Sequence, residues 1–502
     1  MRLRVPILIL PTILTALCTS CATIKKTEQN KTNFIQILTD DQGWGDLGSF
    51  GHQFIKSPNI DQLAAEGMKF TQCYSAHAVC SPSRSAILTG RTPFRNGVIR
   101  YLPHNHFCHL PKDEITLPQL LRKNGYQTAH FGKWHLSHYN EERIRPSFNY
   151  KDFEYGGELV GQPSMNDYGY DYWFATGNVA RPHHKDPINF FLNGKAMGKM
   201  EGFSAQIVAS EFVKWMNEHR KKDEPLFVTI WFHEPHGPVE SDPRFTELYK
   251  DLEDSSLRQY LANITQIDEA VGTIVSALKK AGIYDETLIW YTSDNGPEGL
   301  HDYGKFNKED APYGGSRYRG STGGLRGRKR HTYEGGLRVP GIISWPNGFE
   351  NAGIMPGTIS AEPIIGSDIF PTVLDIAEVP LPDDVTLDST SLLPVLKGQS
   401  FKRPKPLYWR NSYNWRRVTH DKHQLAMRDG EWKIIADSLR TEFELYNLQL
   451  DPRETSDLSK HYPKVFKRMK AQLTAYDREV LAEGPKWWQK EERVKDTIPI
   501  DD

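Results

Sequence analysis

The sequence predicts an α/β fold with a large, mostly parallel central sheet flanked by helices, followed by a smaller C-terminal α+β subdomain with an antiparallel sheet. Short apolar runs alternate with helical patterns along most of the chain, which is typical of parallel strands joined by helices. Polar clusters follow these runs, as ligand-binding residues follow the strands of open α/β sheets. The 502 residues suffice for a large core and for more than one domain.

Three apolar runs predict buried strands of the central sheet, and a fourth segment, 128–131, is a further candidate strand. The three runs cover residues 34–38, 226–232 and 288–292. Continuous apolar runs of this length are typical of strands that are buried on both faces. A helix is predicted before the last strand, because apolar residues recur there at helical spacing as far as Gly282, a plausible end. These residues are Leu261, Ile264, Ile267, Val271, Ile274 and Leu278.

A polar cluster follows each of the four predicted strands. Because the carboxyl ends of parallel strands meet at one edge of a sheet, we expect the clusters to converge on one cleft. In chain order the clusters contain Asp40 and Asp41, then Lys133 and His135, then His233 and His236, and finally Asp294 and Asn295.

The chain divides into predicted segments at its two ends. Residues 1–21 resemble an export signal with basic Arg2 and Arg4, an apolar run too short for a membrane span, and small residues near a cut. The end of this segment also resembles a bacterial lipobox that would place a lipid anchor on Cys21, and ordinary signal cleavage remains the alternative. We therefore expect an exported protein, either periplasmic, an outer-membrane lipoprotein or extracellular. A polar leader, residues 22–32, precedes the large domain, residues 33–393.

The C-terminal subdomain, residues 394–502, begins near Pro394, where Pro and Gly become frequent. Its predicted strands form a small antiparallel sheet with a helix laid on it. The strands cover 407–409, 424–427, 432–435 and 443–446, and the helix carries Val465, Phe466, Met469, Leu473 and Tyr476.

Composition excludes some classes of protein. The formal net charge of −1 gives no basic excess of the kind that nucleic-acid binding needs. The five cysteines show no zinc-type spacing. Cys73 and Cys108 could pair in an oxidising compartment or stay as two buried thiols, and both alternatives remain open.

The segment 80–91 is the most informative in the chain, since Cys-Ser-Pro-Ser-Arg at 80–84 continues into Leu-Thr-Gly-Arg at 88–91. Pro82 suits the first turn of a helix, whose unpaired N–H groups favour an anionic oxygen or sulfur at its start. Arg84 adds a fixed charge with several donors. Cys80 is therefore a candidate nucleophile. The alternatives are a small buried hydrophobe and a phosphatase-like thiolate, whose arginine would be expected where Ala86 stands.

Two further groups suggest anion and metal chemistry. The oxygen donors Asp40, Asp41, Asp294 and Asn295, without cysteine, suit a hard cation such as calcium, although such residues also cap helices and make turns. Residues 324–336 read Gly-Leu-Arg-Gly-Arg-Lys-Arg-His-Thr-Tyr-Glu-Gly-Gly, which is either a basic surface loop or an anion site. Arg317, Arg319 and Arg326 could extend it into a basic rim.

Together these motifs resemble those of type I sulfatases, the formylglycine-dependent enzymes of the alkaline-phosphatase superfamily, over residues 33–460. The arrangement is most similar to the branch of N-acetylgalactosamine-6-sulfatase and arylsulfatase A. The resemblance implies an alkaline-phosphatase-like fold and makes 33–393 the catalytic domain.

The resemblance also implies roles for individual residues. A maturation enzyme would oxidise Cys80 to formylglycine, whose hydrate attacks sulfur and later expels sulfate, while calcium is bound by Asp40, Asp41, Asp294 and Asn295. Arg84, Lys133 and Lys329 would neutralise the sulfate, His135 would act as base and His236 as acid, with Lys329 as a possible helper. Arg328, which replaces a common glycine of the family, would contact substrate.

The implied substrate is a sulfated oligo- or polysaccharide, as in polysaccharide degradation. One alternative is a phosphodiesterase or phosphonate ester hydrolase of the same superfamily. The other is a noncatalytic surface lipoprotein that binds sulfated glycans.

Overall fold

The computed structural model describes residues 31–102, 109–137, 162–299, 315–411 and 423–483. All elements below belong to the unit Thr32–Asp502. The predicted signal, its cleavage site and Cys108 lie outside the described residues.

The strands fall into three sheets. In chain order they are β1 Asn33–Asp40, β2 Met68–Phe70, β3 Cys73–Tyr74, β4 Gln127–Lys133, β5 Tyr172–Thr176, β6 Phe191–Leu192, β7 Lys195–Ala196, β8 Leu226–Pro235, β9 Thr287–Ser293, β10 Arg338–Val339, β11 Gly341–Ser344, β12 Thr358–Ser360, β13 Ile364–Ile365, β14 Leu407–Arg410, β15 His423–Asp429, β16 Trp432–Asp437 and β17 Phe443–Asn447.

The helices are α1 Pro58–Glu66, α2 Cys80–Thr89, α3 Pro93–Asn96, α4 Leu117–Lys123, α5 Ser204–Glu218, α6 Pro243–Thr246, α7 Ser255–Lys280, α8 Glu334–Leu337, α9 Pro346–Ala352, α10 Ile369–Ala377, α11 Leu393–Leu396 and α12 Pro463–Ala482. Short 3-10 turns occur at Gly48–Phe50, Glu247–Tyr249, Gly315–Arg319 and Gly366–Asp368.

The central sheet confirms the predicted α/β architecture. Within the described residues it has ten strands in the order β12-β2-β11-β9-β1-β8-β4-β5-β6-β7. The middle of the sheet, β9-β1-β8-β4-β5, is entirely parallel, whereas β11, β6 and β7 add antiparallel pairings toward the edges. The four predicted strands are β1, β4, β8 and β9, each longer than predicted and buried throughout.

Helices cover both faces of this sheet because apolar side chains alternate along buried strands. On β1, Ile35 and Ile37 join the core that also contains apolar residues of α1, α5 and α7. Phe34 and Leu38 point to the opposite core, which contains residues of α2, α4 and α10. The predicted long helix is α7, which begins after the cap Asp254, whose carboxylate accepts a hydrogen bond from the N–H of Leu257.

The four-stranded antiparallel sheet β14-β15-β16-β17 in the C-terminal part is also confirmed. One face packs against α12 through Met469, Leu473 and Val480. The other face contributes Trp409 to a cluster with Tyr74. The boundary between 393 and 394 stays a prediction.

Among the described residues, no helix combines the length and apolar character that crossing a bilayer requires. The export signal and lipid anchor therefore stay predictions from residues 1–21 alone.

Candidate active site

The polar clusters converge at the carboxyl edge of the parallel strands, as the strand ends suggested. Asp40 is the last residue of β1, and Lys133 is the last residue of β4. Asp294 directly follows β9, and His236 directly follows β8. Since these four strands lie side by side in the sheet, residues far apart in the chain meet in one place.

Cys80 is the first residue of α2, so the helix begins two residues before Pro82. Its side chain is buried, and Nζ of Lys329 lies 3.6 Å from Sγ. Burial raises the pKa of the Cys80 thiol to about 12, although the charges of Lys133 and Lys329 oppose this. An unmodified thiol here is therefore protonated near neutral pH, which makes it a poor thiolate nucleophile.

Three of the four predicted metal ligands contact one another directly. Asn295 Nδ2 donates to Asp41 Oδ1 at 2.7 Å, and the backbone N–H of Asp41 donates to Asp294 Oδ1 at 3.3 Å. Asp41 has a φ of 66°, in the left-handed region that aspartate tolerates better than most residues. That conformation lets two consecutive aspartates contribute to the same cluster.

Buried oxygens without hydrogen-bond partners make these residues fit a hard cation. Asp40 Oδ1, Asp41 Oδ2 and Asn295 Oδ1 lack a hydrogen-bond partner among the described residues. Leaving such atoms unpaired is costly unless a ligand satisfies them, and oxygen donors are the ligands that calcium prefers. One ligand atom each from Asp40, Asp41, Cys80 and His236 lies within 4.8 Å of all the others. The residues could therefore hold a cation immediately beside Cys80.

Each carboxylate of the cluster is paired with its own cation. Lys133 Nζ donates to Asp40 Oδ2 at 2.5 Å, and Lys329 Nζ donates to Asp41 Oδ1 at 2.5 Å. Arg84 donates to Asp294 Oδ2 through Nε at 3.0 Å and Nη2 at 2.7 Å. Three carboxylates and three cations balance, so a bound dication would leave an excess positive charge that favours an anionic substrate.

These cations shift the pKa of the carboxyls. Burial raises the pKa of Asp40, but the charges of Lys133 and Arg84 outweigh it and hold the pKa well below its usual range. Burial and the neighbouring charge of Asp40 raise the pKa of Asp294 to about 7. A cation bound between the two would relieve that repulsion.

Arg84 is turned toward the protein. Besides its bonds to Asp294, its Nη1 donates to the carbonyl of Lys133 at 3.0 Å, and its side chain is fully buried. These contacts position a candidate metal ligand and the end of β4. The neutralisation of sulfate by Arg84, which the sequence resemblance implied, stays a prediction.

Hydrogen bonds to main-chain carbonyls fix the tautomers of both histidines. His135 donates from Nε2 to the carbonyl of Leu102 at 2.7 Å, which leaves the buried Nδ1 as an acceptor without a partner among the described residues. His236 donates from Nδ1 to the carbonyl of Gly237 at 2.7 Å, so that Nε2 lies 3.8 Å from Asp41 Oδ2. Burial lowers the pKa of both rings, which favours their neutral forms.

His233 lies apart from these contacts. Its Nε2 bonds to the hydroxyl of Thr176 at 2.7 Å, so it supports the end of β5.

A buried network beside the cluster was not predicted. The carboxylate of Glu298 pairs with Arg317 at 2.8 Å and, through its other oxygen, with Arg330. Arg317 Nη2 also lies 3.4 Å from Nε2 of His236 and 3.7 Å from Asp41 Oδ2. In the sequence, Glu298 is only an acidic residue four positions after Asp294, and without the fold such a residue does not indicate a buried network.

The other arginines of the predicted basic rim bind protein groups. Arg328 Nη1 donates to the carbonyls of Gly320 at 2.7 Å and Glu298 at 3.0 Å. Arg319 pairs with Asp254 at 2.5 Å, and Arg326 donates to the hydroxyl of Tyr446 and the carbonyl of Glu454. Arg328 therefore ties loops together through its Nη1, and its predicted contact with substrate stays a prediction.

Cys73 is the other free cysteine among the described residues. It is buried, and its Sγ lies 3.6 Å from the hydroxyl of Thr292, away from the contacts of Cys80.

Comparison with known proteins agrees with this geometry. Residues 32–379 match the family model described as Sulfatase, and residues 327–479 match the model described as N-sulphoglucosamine sulphohydrolase, C-terminal. N-acetylgalactosamine-6-sulfatase of Mus musculus is 34% identical over 387 residues, which cover 74% of this chain and 68% of the mouse protein. Arylsulfatase A of Homo sapiens is 32% identical over 411 residues, which cover 80% of this chain and 74% of the human protein.

Among solved structures, Ps i-CgsB in complex with k-i-k-neocarrahexaose superposes with a TM-score of 0.74. It is 25% identical in sequence, and the match covers 90% of this chain and 93% of that protein. The matched family model, the two relatives and the shared fold agree: the chain belongs to the type I sulfatase family, in the branch of N-acetylgalactosamine-6-sulfatase and arylsulfatase A, and is a sulfatase enzyme.

Proposed function

We propose that the enzyme removes sulfate from a sulfated carbohydrate, with formylglycine made from Cys80 as the nucleophile and with calcium bound by Asp40, Asp41, Asp294 and Asn295. The observation that carries the proposal is the set of buried, unpartnered oxygens beside a cysteine at a helix start. The relatives support a carbohydrate substrate, since one is named for a sulfated amino sugar and one solved neighbour binds an oligosaccharide.

When formed, formylglycine supplies a geminal diol, in which one hydroxyl can attack sulfur and the other can lose its proton as sulfate leaves. A bound calcium ion would supply fixed positive charge for the sulfate oxygens. The reaction also needs cations that bind the sulfate oxygens, a proton acceptor and a proton donor. This chain's own side chains can supply all three.

Lys329 is the cation best positioned to act on the reacting atoms, since its Nζ is the nitrogen found 3.6 Å from Cys80 Sγ. It would stabilise the negative charge that develops as the ester bond breaks. Lys133 would assist from its pairing with Asp40, while Arg84 keeps Asp294 in place.

The fixed tautomer of His135 suits its proposed role as a base. His135 keeps its proton on Nε2, so Nδ1 has a lone pair that can accept a proton. His236 presents Nε2 toward the cluster and would contact the ester oxygen. Because the proton of the neutral ring is on Nδ1, His236 would act as the acid only after gaining a proton on Nε2, and Lys329 is the other donor for the departing alcohol.

A desulfation screen tests this function. Enzyme coexpressed with a formylglycine-generating maturation enzyme would be incubated with glycosaminoglycan and algal oligosaccharides, and the released positions read by NMR. We expect sulfate release that Cys80→Ala abolishes. Cys73→Ala is the matched control, because it alters another buried thiol outside these contacts. Release of phosphate or phosphonate from parallel substrates in place of sulfate would contradict the proposal, as would glycan binding without release.

We also propose export, with lipidation at Cys21 or plain cleavage after the leader. This proposal rests on the sequence of residues 1–21. Mass analysis of the mature N-terminus in the native host distinguishes a lipidated Cys21 from a free amino terminus, and an intact Met1 would contradict export.

A further inference from the structure

Within the described residues, Arg330 keeps one edge of its guanidinium group free of hydrogen bonds. Its Nη1 pairs with Glu298, while Nε and Nη2 have no partner among the described residues. The side chain is 22% exposed, compared with 4% for Lys329 and 8% for Arg317. The Nε–Nη2 edge of a guanidinium is a fork that matches the oxygens of a carboxylate or sulfate.

The backbone places this side chain close to the reacting centre. The N–H of Arg330 donates a hydrogen bond of 2.9 Å to the carbonyl of Ala78, which lies two residues before Cys80 in the chain. Its carbonyl accepts a hydrogen bond from Asn411 at 2.9 Å. The residue before it, Lys329, contacts Cys80 itself. Hydrogen bonds to both the N–H and the carbonyl therefore fix the backbone of Arg330 beside Cys80.

Arg330 also carries backbone strain. Its φ is 77°, in the left-handed region that is strained for a residue with a Cβ. A glycine would adopt this conformation without that strain. Strain of this kind clusters at ligand-binding sites, where the surrounding contacts maintain it.

Glu298 connects Arg330 to the predicted catalytic residues. One carboxylate oxygen binds Arg330, and the other binds Arg317, which contacts His236. Although burial raises the pKa of Glu298, the charges of Arg330 and Arg317 hold it well below its usual range. Glu298 is therefore ionised and keeps the guanidinium of Arg330 in a fixed orientation, two ion pairs away from His236.

We infer that Arg330 is a specificity-determining residue that binds a second oxyanion of the substrate, a carboxylate or another sulfate, beside the scissile sulfate ester. The inference rests on the proposed function and narrows its substrate class to sugars with at least two anionic groups near each other. Arg328 is held through its Nη1 by two main-chain carbonyls, whereas Arg330 is oriented by a carboxylate that also binds Arg317.

Binding to an inactive protein tests the inference separately from turnover. Calcium-loaded Cys80→Ala protein is titrated calorimetrically with N-acetylgalactosamine 6-sulfate, with its 4,6-disulfate, and with the disaccharide that links glucuronate to N-acetylgalactosamine 6-sulfate. The second ligand adds a sulfate and the third adds a carboxylate. We expect at least one of these two to bind about tenfold or more tightly than the monosulfate, as a charged bidentate contact would provide.

Variants then assign the preference to Arg330. Arg330→Gly suits the left-handed backbone and should reduce the preference to about threefold or less, and Arg330→Gln provides a second variant with a side chain of similar length. Arg319→Ala is the matched control, because it removes an arginine of the same region that pairs with Asp254 and does not contact Glu298. It should leave the preference intact.

Two results would overturn the inference. In the first, the Cys80→Ala parent binds neither dianionic ligand more tightly than the monosulfate. In the second, the preference survives in both Arg330 variants. The binding test and the desulfation screen can also give different answers. If the preference depends on Arg330 but the enzyme releases no sulfate in the screen, the proposed function is contradicted and the anion subsite at Arg330 is supported.

Discussion

Arg84→Lys is the substitution that most sharply tests how the cluster holds a cation. Arg84 donates two hydrogen bonds to Asp294 and one to the carbonyl of Lys133 from a fully buried position. Lysine keeps the charge but has all its donors on one nitrogen, so it cannot reproduce the three bonds. Asp294 would then lose part of the support that orients it as a ligand.

The expected magnitude follows from that loss. Removing the partner that orients a metal ligand weakens metal affinity by about 10-fold to 100-fold. Since a tenfold change equals about 1.4 kcal/mol, the binding free energy should fall by about 1.4–2.8 kcal/mol. Losing two hydrogen bonds to a charged group should also lower the free energy of unfolding by about 3 kcal/mol.

Calorimetric titration of EDTA-treated protein with calcium chloride measures the affinity, and urea unfolding measures the stability. Arg95→Lys is the matched control, because Arg95 is similarly buried and paired with Asp388 but contacts none of the predicted ligands. It should lose stability and retain calcium affinity. A calcium affinity of Arg84→Lys within twofold of the parent, or an equal loss in Arg95→Lys, would refute the reasoning.

Three further outcomes are expected. Lys433→Met should lower the free energy of unfolding in urea by about 3–5 kcal/mol, because it leaves two fully buried carboxylates without their shared cation; a loss below about 1 kcal/mol would contradict this. Gly132→Ala should lower the melting temperature and turnover far more than Gly125→Ala. Both glycines have a positive φ, but only at Gly132 would a Cβ lie 2.0 Å from the carbonyl oxygen of Trp231. Equal effects of the two substitutions would argue against that clash. Burial raises the pKa of Asp268 to about 6, so its contribution to stability is present below pH 4 and lost as the pH rises through 6. Asp268→Asn should therefore flatten the fall in the free energy of unfolding between pH 4 and 7. An unchanged slope would count against this prediction.

The sequence carried enough information to predict where the strands end and which polar residues meet there. Asp40 and Asp294 follow apolar runs that are buried on both faces, and such runs have few alternatives to a parallel sheet. The start of α2 was predicted only within two residues, because Pro82 suits several positions in the first turn and the capping residue, Val79, forms no side-chain hydrogen bond that would mark the start.

The directions of the arginine side chains were not predictable. The run at 328–330 reads as three adjacent cations, yet Arg328 binds carbonyls, Lys329 faces Cys80, and Arg330 pairs with Glu298. Composition gives the charge of such a run, but tertiary contacts decide which nitrogen meets which acceptor. Glu298 itself became interpretable only when the fold brought Arg317 and Arg330 to its two oxygens.

Peptide mass analysis of the active enzyme at Cys80 is the most direct measurement of the proposed chemistry. We expect the peptide that contains Cys80 to have the mass of an aldehyde, with oxygen in place of sulfur and two hydrogens fewer, and turnover to increase with the converted fraction. Full turnover by protein whose Cys80 is entirely an unaltered thiol would contradict the proposed nucleophile.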